Sequence, residues 1–338
     1  MSKALLLIHG FLTGPDDWNE LLPYLEPLYD EVVLFKQPGH ELKDDRPHFR
    51  DFTEPAVYAA LDEALKSLEK YDGVDVAGHS MGGAGAVYAC AKLKNVRKCL
   101  LYAPAFKYPR PDAVFRYGAQ TKKLETLKKA CDDEALGMAL ERRLAAVRMT
   151  HDASLGIFFK RLLPHWGPRN LLTFMRVMGA AVRYLPEVEC PTCVFWGDLD
   201  EFIPAASARY VMESIGSREM WFVRYPDDGH AFIYLGNVPR LARDTLAFLE
   251  GDLMDVKCDT GEERVCFRTV RGEAGSFVTV SRTERGVHKA GGRAKEYVRS
   301  HTDTYNDGGA AFFGSIPAGA SAPVSYTHLR AHETLSDV

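Results

Sequence analysis

The sequence predicts an α/β fold: a doubly wound, mostly parallel sheet with a helical cap insertion and a small β-rich C-terminal appendage. Three observations carry this prediction. Short apolar runs alternate with helical segments, a purely helical stretch interrupts them, and strand-like segments without a long helix follow. Alternation of this kind is typical of an open parallel sheet with helices on both of its faces.

Six short apolar runs are predicted to be the parallel strands, and the first of them covers residues 3–8. This run is apolar at nearly every position, which is typical of a strand covered by helices on both sides. The other five runs are residues 32–35, 74–77, 99–102, 192–196 and 220–223. Helices are predicted at about 16–28, 54–70, 82–94, 204–215 and 238–250. Active sites of such sheets lie at the carboxyl ends of the strands.

The alternation stops between about residues 105 and 186, where helical periodicity dominates. Two sets of apolar residues define this periodicity: Leu124, Leu127, Leu136, Leu140 and Leu144 in a helical pair, then Leu171, Phe174, Met175, Met178 and Val182 in a stripe. Because the insertion follows a strand end, we expect it to cap the active-site mouth and line a substrate pocket. The pocket candidates are Phe158, Phe159, Trp166, Phe174 and Met178. Packing on the insertion's own core is the alternative for each residue of the stripe.

The chain changes character after Leu253. Residues 252–323 contain strand-like segments, such as 264–270 and 276–281, between glycine-rich turns. These residues include too few apolar side chains for an independent core. We therefore expect this region to pack against the main domain of residues 1–251, to pair with another subunit, or to be incomplete. From Ser325 the sequence resembles translated read-through of sequencing adapters, and we expect residues 324–338 not to be native.

The composition is that of an ordinary soluble globular protein, with 46% hydrophobic residues, 26% charged residues and a formal net charge of −4. This charge argues against a nucleic-acid-binding protein. The longest apolar run near the N-terminus is too short for a signal peptide or a membrane helix, so we expect a cytoplasmic protein without stable membrane insertion. The seven scattered cysteines argue against a disulfide framework. We interpret the lone pair Cys190 and Cys193 as the start of a strand rather than a redox or metal site.

A serine between two glycines follows the third predicted strand. Residues 78–82 have the pattern G-x-S-x-G, with Ser80 at the centre. A sharp strand-to-helix turn can hold such a serine in strained backbone geometry, and the glycines let neighbouring segments approach. A serine hydroxyl needs a base to accept its proton, and that base needs an orienting carboxylate. Asp198 or Asp200 and then His230, each after its own strand, can supply them.

Four motifs together resemble the α/β-hydrolase superfamily, in particular its compact serine carboxylesterases and monoacylglycerol-lipase-like enzymes. They are His9-Gly10-Phe11, residues 78–82, residues 197–204 and Gly229-His230. The resemblance covers about residues 3–250. It implies that Asp200 rather than Asp198 is the triad acid, because the family's loop has the pattern G-x-x-D-x-x-[VI]-P. It also implies an oxyanion hole formed by the backbone N–H groups of Phe11 and Met81.

These residues predict a serine hydrolase that cleaves small-molecule carboxylic esters with short or medium acyl chains, or monoglycerides, through an acyl-enzyme. No metal or organic cofactor is required for this chemistry. Thioesterase, amidase, peptidase and carbon–carbon bond hydrolase activities stay open, because the same triad serves them all. A non-catalytic binding member of the fold is the alternative from another functional class. We expect the side chain of His79 to point away from the triad and to have a packing role.

Overall fold

The computed structural model describes residues 1–40, 42–43, 46–47, 49–107, 113–130, 134–157, 167–256, 263–272, 275–290 and 293–307. The strands are β1 (Lys3–Ile8), β2 (Glu31–Phe35), β3 (Leu42–Lys43), β4 (Arg46–Pro47), β5 (Gly73–His79), β6 (Val96–Tyr102), β7 (Thr192–Gly197), β8 (Glu219–Tyr225), β9 (Glu263–Gly272), β10 (Gly275–Ala290) and β11 (Arg293–Asp307). The helices are α1 (Leu22–Leu25), α2 (Glu54–Leu68), α3 (Gly82–Lys92), α4 (Ala113–Lys129), α5 (Glu134–Ile157), α6 (Pro168–Ala181), α7 (Ala206–Ser214), α8 (Phe232–Leu235) and α9 (Val238–Glu250).

One sheet organises the fold. In the described residues it has nine strands in the order β11-β10-β9-β8-β7-β6-β5-β1-β2. The strands from β2 to β8 in this order pair in parallel, and β9, β10 and β11 pair antiparallel. Every residue of β5 and β7 is buried, as expected for central strands with helices on both faces. The predicted fold class is confirmed, and the six predicted apolar runs are the six parallel strands.

The first predicted helix is wrong in its extent. Residues 16–28 do not form one helix; they form a 3₁₀ turn (Pro15–Trp18), the four-residue α1 and a second 3₁₀ turn (Glu26–Leu28). Pro23 and Pro27 explain the difference, because a proline has no N–H to donate and clashes with the preceding helical turn. The first of these turns carries Asp17 and Trp18 into the core.

The insertion divides its contacts between two cores. Helices α4 and α5 form a small cluster of Leu124, Leu140, Leu144, Ala146 and Val147 with Leu199. Helix α6 instead packs against the main core, where Phe174, Val177 and Met178 are buried, and the hydroxyl of Tyr58 on α2 donates to the Val177 carbonyl at 2.6 Å. The alternative that the stripe packs within the insertion's own core is therefore wrong for Phe174 and Met178. Helix α6 is joined instead to the main core of the sheet and its helices.

The C-terminal strands extend the sheet beyond β8, since β9 pairs antiparallel with it. Arg264 on β9 is fully buried, and its Nη1 lies 2.8 Å from Oδ1 of Asp244 on α9. Its Nη2 donates to the Leu253 carbonyl at 2.7 Å, and the hydroxyl of Tyr225 donates to Asp244 Oδ2 at 2.9 Å. The proposed division at residue 251 therefore separates two partners of a buried ion pair. The predicted non-native tail, residues 324–338, lies outside the described residues.

None of the helices in the described residues is both long and apolar enough to cross a membrane.

Candidate active site

Ser80 lies in the sharp turn between β5 and α3. Its backbone has φ of 55°, in the left-handed region that residues other than glycine rarely adopt. Two backbone bonds hold the turn, because the Ser80 N–H donates to the Tyr102 carbonyl at 2.9 Å and the Ser80 carbonyl accepts from Ala105 at 3.0 Å. A Cβ at position 82 would collide with the carbonyl oxygens of Ile8 and His9, so glycine is required where α3 begins against β1. This turn places the Ser80 hydroxyl at the carboxyl end of β5.

Three side chains from distant parts of the chain form one line of hydrogen bonds. His230 Nε2 lies 2.9 Å from Ser80 Oγ, and His230 Nδ1 lies 2.7 Å from Asp200 Oδ2. The carboxylate accepts at Nδ1, so that nitrogen carries a proton and leaves Nε2 free to accept one from the serine. Ser80, Asp200 and His230 all lie at the carboxyl-end side of the parallel strands, as expected for this sheet type.

The two candidate aspartates, Asp198 and Asp200, make different contacts in the structure. Asp200 Oδ1 accepts from the backbone N–H groups of Phe202 at 2.9 Å and Ile203 at 2.7 Å, which fixes the carboxylate toward His230. Asp198 instead makes a two-bond ion pair with Arg224, at 3.0 Å and 2.7 Å. Asp200 is therefore the aspartate that contacts His230.

The loop after β1 presents a backbone N–H beside the serine turn. His9 Nε2 accepts from the Gln37 N–H at 3.1 Å, so its proton is on Nδ1, which donates to the Gly10 carbonyl at 2.9 Å. Burial lowers the pKa of His9, against the opposing charge of Asp17, and favours this neutral ring. The Gly10 carbonyl and the Phe11 N–H belong to the same peptide unit, so His9 fixes the orientation of that N–H. Within the described residues, neither the Phe11 nor the Met81 N–H donates a hydrogen bond.

Sequence reasoning missed Glu201, which holds the backbone of His230. Its Oε2 accepts from the His230 N–H at 2.9 Å, and the side chain is buried. Burial lowers the pKa of His230, but the charge and hydrogen bond of Asp200 and the charge of Glu201 outweigh it, so the net pKa lies above its ordinary value. The position next to Asp200 was the only signal in the sequence, and nothing there indicated contact with a residue 29 positions away.

Glu201→Gln is expected to shift the acidic limb of the pH profile of kcat/KM to lower pH. His230 must be neutral to accept the serine proton, so a raised pKa delays activity until the pH rises past it. In the wild type the midpoint is expected above the ordinary pKa of a histidine side chain. Glutamine keeps an oxygen for the His230 N–H but removes the charge, which lowers the pKa of His230. Glu213→Gln, an exposed change on α7, is the matched control. A midpoint that stays in place or rises would contradict the assigned role of the Glu201 charge.

The expectation that His79 points away from the triad is wrong. Its ring lies against the ring of His230, with the centroids 5.1 Å apart, and its Nε2 lies 3.2 Å from the His230 carbonyl oxygen. Its Nδ1 lies 3.2 Å from Asp17 Oδ2. The packing role is compatible with these contacts, but they also connect His79 directly to the backbone of His230.

Two of the five pocket candidates can be placed. The ring of Phe174 stacks on the ring of Phe11 at 4.9 Å, beside the loop after β1, and Met178 is buried in the main core. Phe158, Phe159 and Trp166 lie outside the described residues. The part of the chain that is described contains no group of three or more histidine, cysteine, aspartate or glutamate side chains able to hold a metal ion.

Helix α5 contacts the loop that carries Asp200 and the loop that carries His230. Leu199, next to Asp200, packs in the cluster of α4 and α5. Arg143 on α5 donates to the Pro226 carbonyl and lies 3.6 Å from Asp227 in the loop before His230. A Cβ at position 229 would lie 2.5 Å from Thr150 Cγ2, so Gly229 allows α5 to pack this closely on the histidine loop.

Comparisons with known proteins agree with this fold. The sequence model described as the alpha/beta hydrolase family matches residues 5–243. The strigolactone esterase RMS3 of Pisum sativum is 24% identical over 222 residues, which are 64% of this chain and 82% of the relative. A solved structure from the study of LipS and LipT, two metagenome-derived lipolytic enzymes, aligns with a TM-score of 0.51 and 17% identity, over 74% of this chain and 94% of that one. The esterase EaEST of Exiguobacterium antarcticum aligns with a TM-score of 0.46 and 16% identity, over 74% and 92%.

Proposed function

Because the chain belongs to the alpha/beta hydrolase family, which its residues 5–243 match, we propose that it hydrolyses carboxylic esters through an acyl-enzyme formed on Ser80. One observation carries the proposal: His230 bridges Ser80 Oγ at 2.9 Å and Asp200 Oδ2 at 2.7 Å. A serine held by a strained turn, with a base in reach and an acid behind that base, is the arrangement that acyl transfer requires.

In the acylation step Ser80 Oγ attacks the ester carbonyl carbon, and His230 Nε2 takes the serine proton. The carbonyl oxygen becomes an anion, which accepts hydrogen bonds from the Phe11 and Met81 N–H groups. The carbon–oxygen bond to the alcohol then breaks, and His230 gives its proton to the leaving alcohol. Asp200 keeps the His230 ring oriented and stabilises its charged form throughout.

Deacylation repeats the sequence with water as the nucleophile. His230 takes a proton from water as the oxygen attacks the acyl carbon, and the same two N–H groups hold the new oxyanion. The bond to Ser80 Oγ then breaks, His230 returns its proton to the serine, and the carboxylic acid leaves. Each cycle consumes one ester and one water and regenerates the free enzyme.

The substrate class we propose is an uncharged ester with a short or medium acyl chain, or a monoglyceride. Apolar rings lie beside the proposed oxyanion loop and beside His230, since Phe11 stacks on Phe174 and the centroid of the Phe202 ring lies 5.6 Å from that of the His230 ring. Such rings bury apolar acyl or alcohol groups favourably. The similarity to the strigolactone esterase RMS3 supports the same reaction class.

The test combines hydrolysis with active-site labelling. We expect the wild type to cleave p-nitrophenyl esters in a panel of increasing acyl length and to be labelled covalently by a fluorophosphonate at Ser80. Ser80→Ala should lose both properties, whereas Ser67→Ala, an exposed change on α2, should keep both. A folded wild type that cleaves no oxygen ester, thioester or anilide and takes no label would instead be a binding member of the fold. Cleavage of the thioester or the anilide alone would replace the proposed substrate class.

A further inference from the structure

A buried carboxylate lies under the proposed active site and has no role in the triad. Asp17, in the 3₁₀ turn after β1, has a side chain that is 1% exposed. Its Oδ2 accepts from the Gly10 N–H at 3.1 Å and from the Thr13 hydroxyl at 2.6 Å. The same oxygen lies 3.2 Å from His79 Nδ1. One carboxylate oxygen therefore joins the loop that presents the Phe11 N–H to the residue that precedes Ser80.

His79 continues this connection to the catalytic-site histidine. Its two ring nitrogens face Asp17 Oδ2 and the His230 carbonyl oxygen, each at 3.2 Å. Both of these oxygens can only accept hydrogen bonds, so the His79 ring is the donor in each hydrogen bond that it makes to them. Burial raises the pKa of Asp17, but the hydrogen bond and charge of His79 outweigh it and leave the net pKa below its ordinary value.

Both backbone polar groups of His230, the N–H and the carbonyl, are in contact with buried side chains. Glu201 accepts from its N–H at 2.9 Å, and His79 contacts its carbonyl oxygen at 3.2 Å. The side chain is held separately, by Asp200 and Ser80. The contact with His79 also connects His230 to the loop after β1, because Asp17 Oδ2 contacts both His79 Nδ1 and the Gly10 N–H.

We propose that Asp17 and His79 are positioning residues for ester hydrolysis, and that together they fix the proposed oxyanion donor Phe11 relative to the base His230. This inference rests on the function proposed above. The Phe11 N–H must donate to the oxyanion while His230 accepts the serine proton. These two residues come from loops about 220 residues apart in the chain. A displacement of about 1 Å in such a geometry can lower the rate by about 100-fold.

The first experiment changes Asp17→Asn, which keeps the shape and one acceptor oxygen but removes the charge. We expect kcat to fall by about 10- to 100-fold with KM changed by less than about two-fold, because the lost geometry matters mainly in the transition state. A trifluoromethyl ketone, which Ser80 converts into an anionic hemiketal, should lose affinity by about the same factor as kcat. Asp16→Asn, an exposed change one residue away in the same turn, is the matched control and should leave both values unchanged.

The second experiment tests whether a hydrogen-bond donor is needed in the side chain at position 79. Glutamine at this position reaches the His230 carbonyl with an amide N–H, whereas leucine has no donor. We expect His79→Gln to keep a kcat at least about ten times that of His79→Leu, with both variants assayed below their melting temperatures. If Asp17→Asn does not fold, this pair of variants decides the proposal alone.

Three results would separate the possible failures. Asp17→Asn with a lowered melting temperature but wild-type kcat and ketone affinity would make the pair purely structural and overturn the proposal. Equal kcat values for His79→Gln and His79→Leu would do the same. In both cases the wild type is still labelled by the fluorophosphonate, so the proposed function stands. A wild type that takes no label overturns the proposed function, and this proposal with it.

Discussion

Ser80→Ala and His230→Ala are each expected to lower kcat on the order of 10⁶-fold, and the double variant is expected to lose no more than either single one. The reason is the hydrogen bond of 2.9 Å between Ser80 Oγ and His230 Nε2. The serine hydroxyl reacts only while the ring accepts its proton, so removing either partner removes the same step. The hydrogen-bond donors at Phe11 and Met81 would remain and would support a small residual rate.

The measurement is kcat for a p-nitrophenyl ester, with circular dichroism to establish that each variant is folded. Any residual activity in Ser80→Ala must resist a fluorophosphonate, because inhibition would reveal traces of wild-type enzyme. Ser67→Ala serves as the matched control, since this serine is exposed on α2. Independent, multiplicative losses in the double variant would show that the two residues do not act in one step and would contradict the triad.

Arg264→Met is expected to lower the free energy of unfolding by about 3–5 kcal/mol. Arg264 and Asp244 are both completely buried and lie 2.8 Å apart, and methionine leaves Asp244 as an uncompensated buried charge. The double variant Arg264→Met/Asp244→Asn should recover part of the loss, because asparagine carries no charge and can still accept from the Tyr225 hydroxyl.

Urea unfolding followed by tryptophan fluorescence gives the free energy, the midpoint and the slope of the transition. Arg268→Met on the same strand is the matched control, because its ion pair with Glu219 is 44% and 34% exposed and is expected to contribute less than about 1 kcal/mol. Equal losses in the free energy of unfolding for Arg264→Met and Arg268→Met would show that the buried ion pair contributes no more to stability than the exposed one.

The parallel strands and the triad candidates could be predicted because their signals are local in the sequence. An apolar run such as residues 3–8 shows a buried strand by its own composition, and Ser80, Asp200 and His230 each follow such a run. The antiparallel position of β9 could not be predicted, although a strand was expected there, because the choice of pairing partner depends on residues far away in the chain. The first predicted helix is broken in the structure because Pro23 and Pro27 cannot donate the backbone hydrogen bonds that one continuous helix over residues 16–28 requires.

The polar contacts around the triad could not be predicted for a related reason. Glu201, Asp17 and His79 are buried polar residues whose partners come from other loops, and no periodicity marks a single buried polar residue. A packing role was expected for His79, but the direction of its side chain toward His230 depends on how β5 and the loop that carries His230 are placed relative to each other. Within the described residues, the sequence therefore indicated Ser80, Asp200 and His230, which the structure brings together, but not the contacts that hold them in place.

The position of α5 has a consequence for how substitutions in this helix would act. The same helix packs on Leu199 beside Asp200 and, through Thr150 and Arg143, on the loop that carries His230. A substitution that reshapes α5 would therefore move the supports of Asp200 and His230 together. A substitution on a face of α5 that contacts neither loop is expected to leave the positions of both residues unchanged.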